Sequence, residues 1–237
     1  MADSERLRSR ADAVLDSMRR AAGWTPEKQA EIARRAAELP ADWAQREDAR
    51  ILAEQRADRS RIMLARIEPK YRDAEPRHQV SLDWLASYRI GVRRNLVVIG
   101  DVGVGKTWEA NALARALLAE DFVPVTIMST ADMIEVMKPN SDGVSDEGQF
   151  KVAPVLVLDD LGAERLTEFA GSKLCELLDH RMRKLLPTIF TSNLPPKLLS
   201  ERYDGRTFRR IFEGAAMLVI TGNAYAPKMP FDPVTFA

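Results

Sequence analysis

Apolar residues are spaced differently in the two parts of this chain. In residues 1–67 they recur every three or four positions among Arg and Glu, which is the spacing of amphipathic helices. Further along, short apolar runs begin near residues 95, 123, 154, 187 and 216, with helical patterns between them. This alternation predicts an α/β fold with a five-stranded parallel sheet.

The spacing of apolar residues in positions 1–67 predicts helices and no strands. Gly23 lies where a first helix would end, and Thr25-Pro26 would begin a second helix that stops before Pro40. A third, longer helix follows, and its candidate buried residues are Trp43, Ile51, Leu52, Ile62, Met63 and Ile67. The segment contains no catalytic constellation, so we expect a helical domain that docks onto a partner protein. A bundle with solvated charges and no partner is the alternative.

Two prolines separate this segment from the rest of the chain. Pro69 and Pro76 break the helical pattern, so residues 68–80 are predicted to be a linker and residues 81–237 a second domain. Trp84 and Tyr88 follow on a short helix that leads into the first strand. They are expected either to flank a bound base or to pack under the sheet.

The first strand ends in a glycine loop with the spacing Gly-x-x-x-x-Gly-Lys-Thr, and a helical segment follows. Strand, loop and helix in this order are the context of a P-loop, in which backbone N–H groups turn toward phosphate oxygens. We expect Lys106 to reach the β- and γ-phosphates and Thr107 to bind Mg²⁺. The residues predicted to bind the nucleotide are Gly100, Asp101, Val102, Gly103, Val104, Gly105, Lys106, Thr107 and Trp108.

The third apolar run ends in two carboxylates, Asp159 and Asp160. Ligands of open α/β sheets bind at the carboxyl ends of the strands, and a pair of acids there, about fifty residues after a P-loop, is a Walker B pattern. Asp159 is predicted to bind Mg²⁺ directly or through water. Asp160 is predicted to orient or deprotonate the attacking water.

Two further features are candidate parts of a hydrolytic site. Asn193 ends the fourth strand, where its amide would contact the γ-phosphate or the water; a plain turn-forming role is the alternative. Arg206 and Arg210 are four residues apart on a predicted helix and share one face. Either could stabilise transition-state charge at the nucleotide of a neighbouring subunit, and a solvated basic face is the alternative.

The amino-acid composition argues against several classes of function and site. Lys and Arg number 35, equal to Asp and Glu, so no overall basic field indicates nucleic acid binding. The single cysteine, Cys175, excludes an internal disulfide and a multi-cysteine zinc site. No apolar run approaches the roughly 18 residues of a membrane span, and the first residues lack the apolar core of a signal peptide. We therefore expect a soluble, cytoplasmic protein with no membrane contact.

Taken together, these motifs resemble those of AAA+ ATPases, and among them the DnaC-like helicase loaders and the related IstB-type transposition helpers. The resemblance covers about residues 70–222. It rests on Tyr71–Ala74, Gly100–Thr107, Leu158–Glu164, Pro187–Asn193 and Arg206–Gly214.

The resemblance implies a compact P-loop AAA+ core without a C-terminal lid. It also implies ATP and Mg²⁺ as ligands, with Asn193 as first sensor and Arg210 at the arginine-finger position, Arg206 being the nearer alternative. The second Walker B acid is Asp160 rather than the Glu usual in this family, so we expect slow hydrolysis, stimulated by assembly or DNA. Residues 222–226 lack the Gly-x-Asp-x-Arg pattern of many relatives, so a second arginine sensor acting in cis is not expected.

Two functions fit the resemblance. The first is an ATP-dependent helicase loader that grips a replicative helicase through residues 1–67, self-associates into a ring or spiral, and binds single-stranded DNA without sequence preference. The second is an IstB-type helper that binds duplex DNA and recruits a transposase. A small-molecule kinase is disfavoured because no basic lid segment is present, and a GTPase because no Asn-Lys-x-Asp motif is present.

Overall fold

The computed structural model describes residues 42–65, 67–139 and 147–222, together with the isolated positions Thr25, Glu27, Lys28, Arg34 and Pro40. The chain divides into two compact units, Met1–Glu54 and Gln55–Ala237. The two helices predicted before Pro40 lie outside the described ranges, as do most of the polar loop around residues 138–148 and the residues after Gly222. The predicted boundaries of the docking domain and linker remain predictions.

Eight helices and five strands have bounds within the described residues. The helices are α1 (Trp43–Leu64), α2 (Gln79–Arg89), α3 (Lys106–Ala119), α4 (Thr130–Met137), α5 (Gly148–Val152), α6 (Glu168–Arg183), α7 (Pro196–Arg202) and α8 (Gly205–Phe212). The strands are β1 (Leu96–Gly100), β2 (Val125–Ser129), β3 (Val155–Asp159), β4 (Thr188–Ser192) and β5 (Ala216–Ile220). A short 3₁₀ turn covers Pro69–Tyr71.

The five strands form one parallel sheet in the order β2-β3-β4-β1-β5. The predicted fold class is therefore confirmed, and every predicted strand is present. Strand β4 lies between β1, which leads into the P-loop, and β3, which ends in the two acids. The carboxyl ends of these three strands are consequently neighbours at one edge of the sheet.

Each face of the sheet is covered by its own apolar cluster. Helix α3 packs on one face, with Leu113 and Leu117 fully buried, and α6 packs on the other with Leu174 and Leu177. Residues from β1, β3 and β4 contribute to both clusters, because parallel strands covered on two sides are apolar throughout. This two-sided burial holds the strand ends, and therefore the site, in a fixed geometry.

Helix α1 differs from its prediction. Trp43, Ile51, Leu52 and Ile62 were expected to be buried, but they are 43–62% exposed, so the prediction was wrong at these positions. Only Ile67, beyond the end of the helix, is fully buried, and Met63 is partly buried. Periodic spacing identifies a helix, but burial also requires a partner surface for the apolar face.

The helices were also compared with the length and apolarity of a membrane span. Among the described residues, no helix is both long and apolar enough to cross a membrane.

Candidate functional site

The glycines of the P-loop are required by its backbone. A Cβ on Gly100 would lie 2.4 Å from the carbonyl oxygen of Ile220 on β5, so a larger residue does not fit. Gly105 has a φ of +100° and directly precedes α3 without a capping side chain. The first N–H groups of α3 are therefore left for an anion, and the helix dipole adds positive potential there.

Lys106 is 5% exposed and its Nζ donates to the carbonyl oxygen of Asp101 at 2.7 Å. Burial lowers the pKa of this ammonium, while the nearby carboxylates of Asp160, Asp159 and Asp101 oppose the shift. The positive charge is thus held on the loop and close to both acids that end β3. Phosphate oxygens placed over the loop would meet this charge directly.

Asp159 is the centre of a hydrogen-bond cluster that joins three elements. The Thr107 hydroxyl of α3 lies 3.1 Å from both of its carboxylate oxygens, and the Thr191 hydroxyl of β4 donates to one of them. Burial raises the pKa of Asp159, and the charge of Asp160 adds to this, although the two hydroxyl hydrogen bonds oppose it. Such a carboxylate is stabilised in its charged form by a cation.

Thr107 and Asp159 were predicted as the metal-binding pair, and the structure brings them together. Mg²⁺ is held in proteins by one or two carboxylates, with phosphate oxygens and water completing its coordination. One carboxylate and one hydroxyl converging beside the phosphate loop match this donor set. No group of three or more His, Cys, Asp or Glu side chains that could hold a metal by themselves is found among the described residues.

Asp160 and Asn193 face the same open pocket as the P-loop. Its volume is about 410 Å³, within the usual range for small-molecule sites, and both side chains line it together with Lys106 and Thr107. Asp160 has a φ of +55°, a left-handed conformation that Asp tolerates better than most residues, and its N–H donates to Thr191 Oγ1 at 2.9 Å. The predicted acid and amide are therefore placed together.

Not every predicted loop residue faces the pocket. Val102, Gly103, Gly105 and Trp108 line it, whereas Val104 is buried in the core and Asp101 contributes its carbonyl to Lys106. Lys70 and Tyr71 also line it, although both belong to the segment predicted as a linker. Tyr71 and Trp108 make an edge-to-face contact with ring centroids 6.2 Å apart, and they form an aromatic wall beside the phosphate loop.

The pair Trp84 and Tyr88 does not contribute to this wall. Trp84 is 1% exposed, stacks on Tyr88, and donates its indole N–H to the carbonyl oxygen of Arg94 at 2.8 Å. Packing under the sheet, one of the two predicted roles, is what the structure shows. Tyr71 carries no periodic signal because it lies in a proline-rich stretch, and although the segment Tyr71–Ala74 contributed to the family resemblance, no place in the site was predicted for it.

The segment before α2 is tied to the P-loop helix. Glu109, on the first turns of α3 and 1% exposed, accepts the backbone N–H groups of Arg77 and His78 at 3.1–3.2 Å. The guanidinium of Arg77 lies 4.9 Å from the centroid of the Trp108 ring. Within the predicted linker, Lys70 and Tyr71 therefore line the pocket, and Arg77 and His78 contact the P-loop helix beside it.

A second buried acid organises the loop after β3. The Glu164 carboxylate accepts the N–H of Gly162 at 2.9 Å and the hydroxyl of Tyr203, and Arg202 donates to the Glu164 carbonyl oxygen. Burial, together with this carboxylate, raises the pKa of Tyr203. Glu164 links the loop that carries Asp160 to the end of α7. No local pattern marked this role in the sequence.

The two candidate finger arginines do not lie in the pocket of their own chain. Arg206 and Arg210 both pair with the buried carboxylate of Asp179 on α6, and the Arg210 Nε lies 2.5 Å from Asp179 Oδ1. The Arg206 side chain is 64% exposed, and that of Arg210 is 21% exposed. Burial would raise the pKa of Asp179, but hydrogen bonding and the charges of the two arginines lower it overall.

Comparison with known proteins agrees with this geometry. A family model described as IstB-like ATP binding protein matches residues 28–218. The replicative helicase loader DnaI of Bacillus subtilis (strain 168) is 33% identical over 125 residues, covering 51% of this chain and 40% of DnaI. An ATP-binding protein of insertion sequence IS1162 from Pseudomonas fluorescens is 32% identical over 115 residues, covering 48% of this chain and 47% of that protein. The matches span less than half the length of both relatives.

Solved structures are similar over the same region. The crystal structure of the DnaC helicase loader matches with a TM-score of 0.56 at 26% identity, covering 65% of this chain and 100% of that one. The crystal structure of DnaI matches with a TM-score of 0.53 at 30% identity, covering 62% of this chain and 80% of that one. DnaA from Aquifex aeolicus, with AMPPCP bound, shares the fold at a TM-score of 0.56 and 19% identity, over 66% of this chain and 51% of that one. The predicted P-loop AAA+ core and its resemblance to DnaC-like loaders are confirmed.

Proposed function

This chain belongs to the family of IstB-like ATP-binding proteins, and we propose that it is a cytoplasmic ATPase that loads a replicative DNA helicase. One observation carries the ATPase part of the proposal. A single pocket brings together the phosphate loop, the carboxylate Asp160 and the amide of Asn193, with Asp159 joined to Thr107 beside it. Nucleotide binding requires only the phosphate loop, whereas the carboxylate of Asp160 and the amide of Asn193 are suited to activating a water molecule.

The proposed roles follow from these positions. Backbone N–H groups of the P-loop and Lys106 hold the phosphates, and Tyr71 and Trp108 pack beside the base. Thr107 and Asp159 hold Mg²⁺, which supplies charge neutralisation to the phosphates when bound. Asp160 accepts a proton from the attacking water, and Asn193 orients that water or the γ-phosphate. Asp160 is one methylene shorter than Glu, so its reach is shorter and hydrolysis is slow.

We propose that hydrolysis is completed in a ring or spiral of subunits. Arg206 or Arg210 of one subunit would approach the γ-phosphate of the next, where a guanidinium stabilises transition-state charge. The greater exposure of Arg206 favours it for this role, since Arg210 is held more deeply by Asp179. Assembly on DNA would then stimulate hydrolysis by completing the site.

The helicase-loading part rests on the similarity to DnaI and DnaC and on the helical segment before the ATPase core. Helix α1 exposes Trp43, Ile51 and Leu52, an apolar set without a described partner surface in this chain. We propose that residues 1–67 grip the helicase through such side chains. Nucleotide state would switch the protein between holding the helicase on single-stranded DNA and releasing it.

A second candidate function is favoured by two findings. The matching family model is described as IstB-like, and one relative is an ATP-binding protein of an insertion sequence. A transposition helper would use the same ATP site but would bind duplex DNA and recruit a transposase.

The first test of the proposal is ATP hydrolysis by the full chain, with and without single-stranded or duplex DNA, beside Lys106→Ala. Hydrolysis that depends on Lys106 and rises with single-stranded DNA supports the loader. Stimulation by duplex DNA alone favours the transposition helper. No hydrolysis under any of these conditions would overturn the ATPase proposal.

A further inference from the structure

A second, smaller cavity lies at the opposite edge of the sheet from the nucleotide pocket. Its volume is about 180 Å³, and it opens where β1, β4 and β5 begin. Strands of five residues separate the two edges by roughly 16 Å, so both sites could be occupied at once. Of the four arginines that line this cavity, only Arg210 has a candidate role in the proposed ATPase chemistry, and Arg93, Arg94 and Arg181 have none.

Arg181 is a buried cation with uncharged partners. It is 1% exposed, and burial lowers its pKa to about 10, so it stays protonated at neutral pH. Its guanidinium donates at 2.7–2.9 Å to oxygens of Phe150, Ala153, Pro187 and Thr188. No carboxylate among the described residues pairs with it. A buried cation without a counter-charge is unusual, since buried charges are normally paired.

The neighbouring arginines add positive charge. Arg93 donates to the Tyr88 carbonyl oxygen and lies 4.0 Å from the Tyr88 ring. Arg94 donates from Nη2 to the Ser87 hydroxyl at 3.4 Å, while its Nε is buried without a hydrogen-bond partner. Within the described ranges, neither forms an ion pair with a carboxylate. Nε of Arg94 is therefore a buried donor without an acceptor, which is unfavourable, and an anion entering the cavity that Arg94 lines would offer this side chain an acceptor.

Acidic residues near the cavity do not balance these charges. The carboxylate of Asp179 pairs with Arg210, but the same carboxylate also pairs with Arg206 and therefore neutralises Arg210 only in part. Glu213 lines the cavity, and its carboxylate lies 3.5 Å from the Nε of Arg209. The cavity therefore has an excess of positive charge, concentrated on Arg93, Arg94 and Arg181.

We propose that this cavity binds a phosphate group, with Arg94 and Arg93 as its donors and Arg181 supplying fixed positive charge behind them. Guanidinium groups match phosphate geometry, often with two parallel hydrogen bonds. The cavity is below the roughly 300 Å³ at which small-molecule pockets begin, and less than half the size of the nucleotide pocket. It therefore suits one phosphate group rather than a whole nucleotide.

The phosphate could belong to a nucleic-acid backbone or be free in solution. Binding of a nucleic-acid backbone rests on the proposed function, which includes DNA binding, and would place one DNA contact at the edge of the sheet away from ATP. Binding of free phosphate does not depend on the proposed function. Stabilisation by inorganic phosphate and affinity for an oligonucleotide, measured on the same variants, distinguish these two sources.

The test compares two doubly substituted full-length chains that lose the same charge. Arg93→Gln/Arg94→Gln removes the two donors and leaves the buried Arg181, whose replacement could prevent folding. Arg165→Gln/Lys197→Gln is the control, because both residues are exposed and follow the carboxyl ends of β3 and β4. Nucleotide affinity, measured first, should be the same in both variants and the wild type.

The first readout is the thermal unfolding midpoint with added inorganic phosphate, at saturating nucleotide so that the P-loop is blocked. Phosphate at tenfold its dissociation constant should raise the midpoint of wild type and control by about 3–6 °C. Arg93→Gln/Arg94→Gln should show no such rise. An equal rise in all three proteins would overturn the proposal.

The second readout is the affinity for a labelled oligothymidylate over a salt series. If the site takes backbone phosphate, the double variant should bind about tenfold more weakly than the control, with a log–log salt slope smaller by about 1, as expected for one phosphate. If Arg93→Gln/Arg94→Gln is no longer stabilised by phosphate but binds the oligonucleotide as tightly as the control, the site takes free phosphate. Wild-type protein that binds no oligonucleotide, yet is stabilised by phosphate through these arginines, refutes the DNA part of the proposed function and leaves this site standing.

Discussion

The hydroxyl of Thr191 donates a hydrogen bond to the carboxylate of Asp159, and the same oxygen accepts the N–H of Asp160 at 2.9 Å. One side chain of β4 therefore fixes both acids at the end of β3. We expect Thr191→Val, which keeps the shape but removes the hydroxyl, to lower the free energy of unfolding by about 1–3 kcal/mol. ATP hydrolysis should fall more than ATP binding, because the acids lose their alignment.

Thr126→Val on the edge strand β2 is the matched control, since it makes the same change away from the site. Chemical denaturation and steady-state hydrolysis would be measured on both variants. If Thr191→Val resembles Thr126→Val in stability and in rate, the hydroxyl does not organise the acids.

Replacement of Asp160 by Asn should separate binding from hydrolysis. The amide keeps the size of the side chain but cannot accept a proton from water, so we expect the rate of hydrolysis to fall about 10²–10⁴-fold. The affinity for ATP should stay within a few-fold of wild type, because Lys106 and the loop N–H groups are untouched. Single-turnover hydrolysis and equilibrium nucleotide binding measure the two effects. A nearly normal rate would show that another group activates the water.

The sheet could be predicted from the sequence because its strands are buried on both faces. Their runs of Val, Ile and Leu therefore appear as uninterrupted apolar segments, and the P-loop and the acids mark where two of them end. Exposure along α1 could not be predicted in this way. Trp43 and Ile62 follow helical spacing, but burial also depends on a second surface, which spacing does not encode.

Within the candidate site, the residues of the loop and of the strand ends were predictable because their spacing is a local property of the chain. Contacts between distant residues were not. Asp179 is 27 residues before Arg206 and 31 before Arg210, and no pattern along α6 indicates that its carboxylate faces α8. Thr191 was part of a recognised motif, but only the sheet order shows that it lies beside Asp159.

A finger arginine that acts in trans can be tested by mixing two inactive variants. Lys106→Ala cannot hold the nucleotide, and Arg206→Ala should lower hydrolysis by up to about 10³-fold without weakening ATP binding. In an equal mixture that assembles at random, about one quarter of the interfaces combine an intact loop with an intact arginine. The mixture should therefore regain about a quarter of the wild-type rate.

Arg210→Ala, mixed in the same way, tests the second candidate. Recovery with Arg210→Ala and not with Arg206→Ala would reassign the finger. No recovery in either mixture, in assemblies shown to contain both variants, would contradict a finger acting in trans.

The start of α8 should make stability depend on pH. Asp204 caps this helix, and hydrogen bonds from the side chain and backbone of Thr207 lower its pKa. A folded-state pKa below the unfolded value of about 3.9 means that the charge of the cap stabilises the protein fully above that pH, and this charged contribution is lost as pH falls through the folded value. We expect Asp204→Ala to lower the free energy of unfolding by about 1 kcal/mol at pH 7.

Urea denaturation from pH 7 down to pH 3 measures this difference, which should become smaller toward the acid end, where protonation leaves only the weaker capping by a neutral oxygen. Asp204→Asn is the control, because a neutral amide oxygen still caps the helix and should retain most of the stability at every pH. A difference between wild type and Asp204→Ala that stays constant over this range would exclude the ionised carboxylate as its origin.

The most direct test of the account is capture of a hexameric replicative helicase, from the organism that encodes this chain, by the full-length protein with and without ATP. Capture that depends on nucleotide, is altered in Lys106→Ala, and weakens in Trp43→Ala, which replaces an exposed side chain of α1, is the predicted result. No capture in any nucleotide state, with ATP-dependent assembly on duplex DNA instead, would contradict helicase loading and establish the transposition helper.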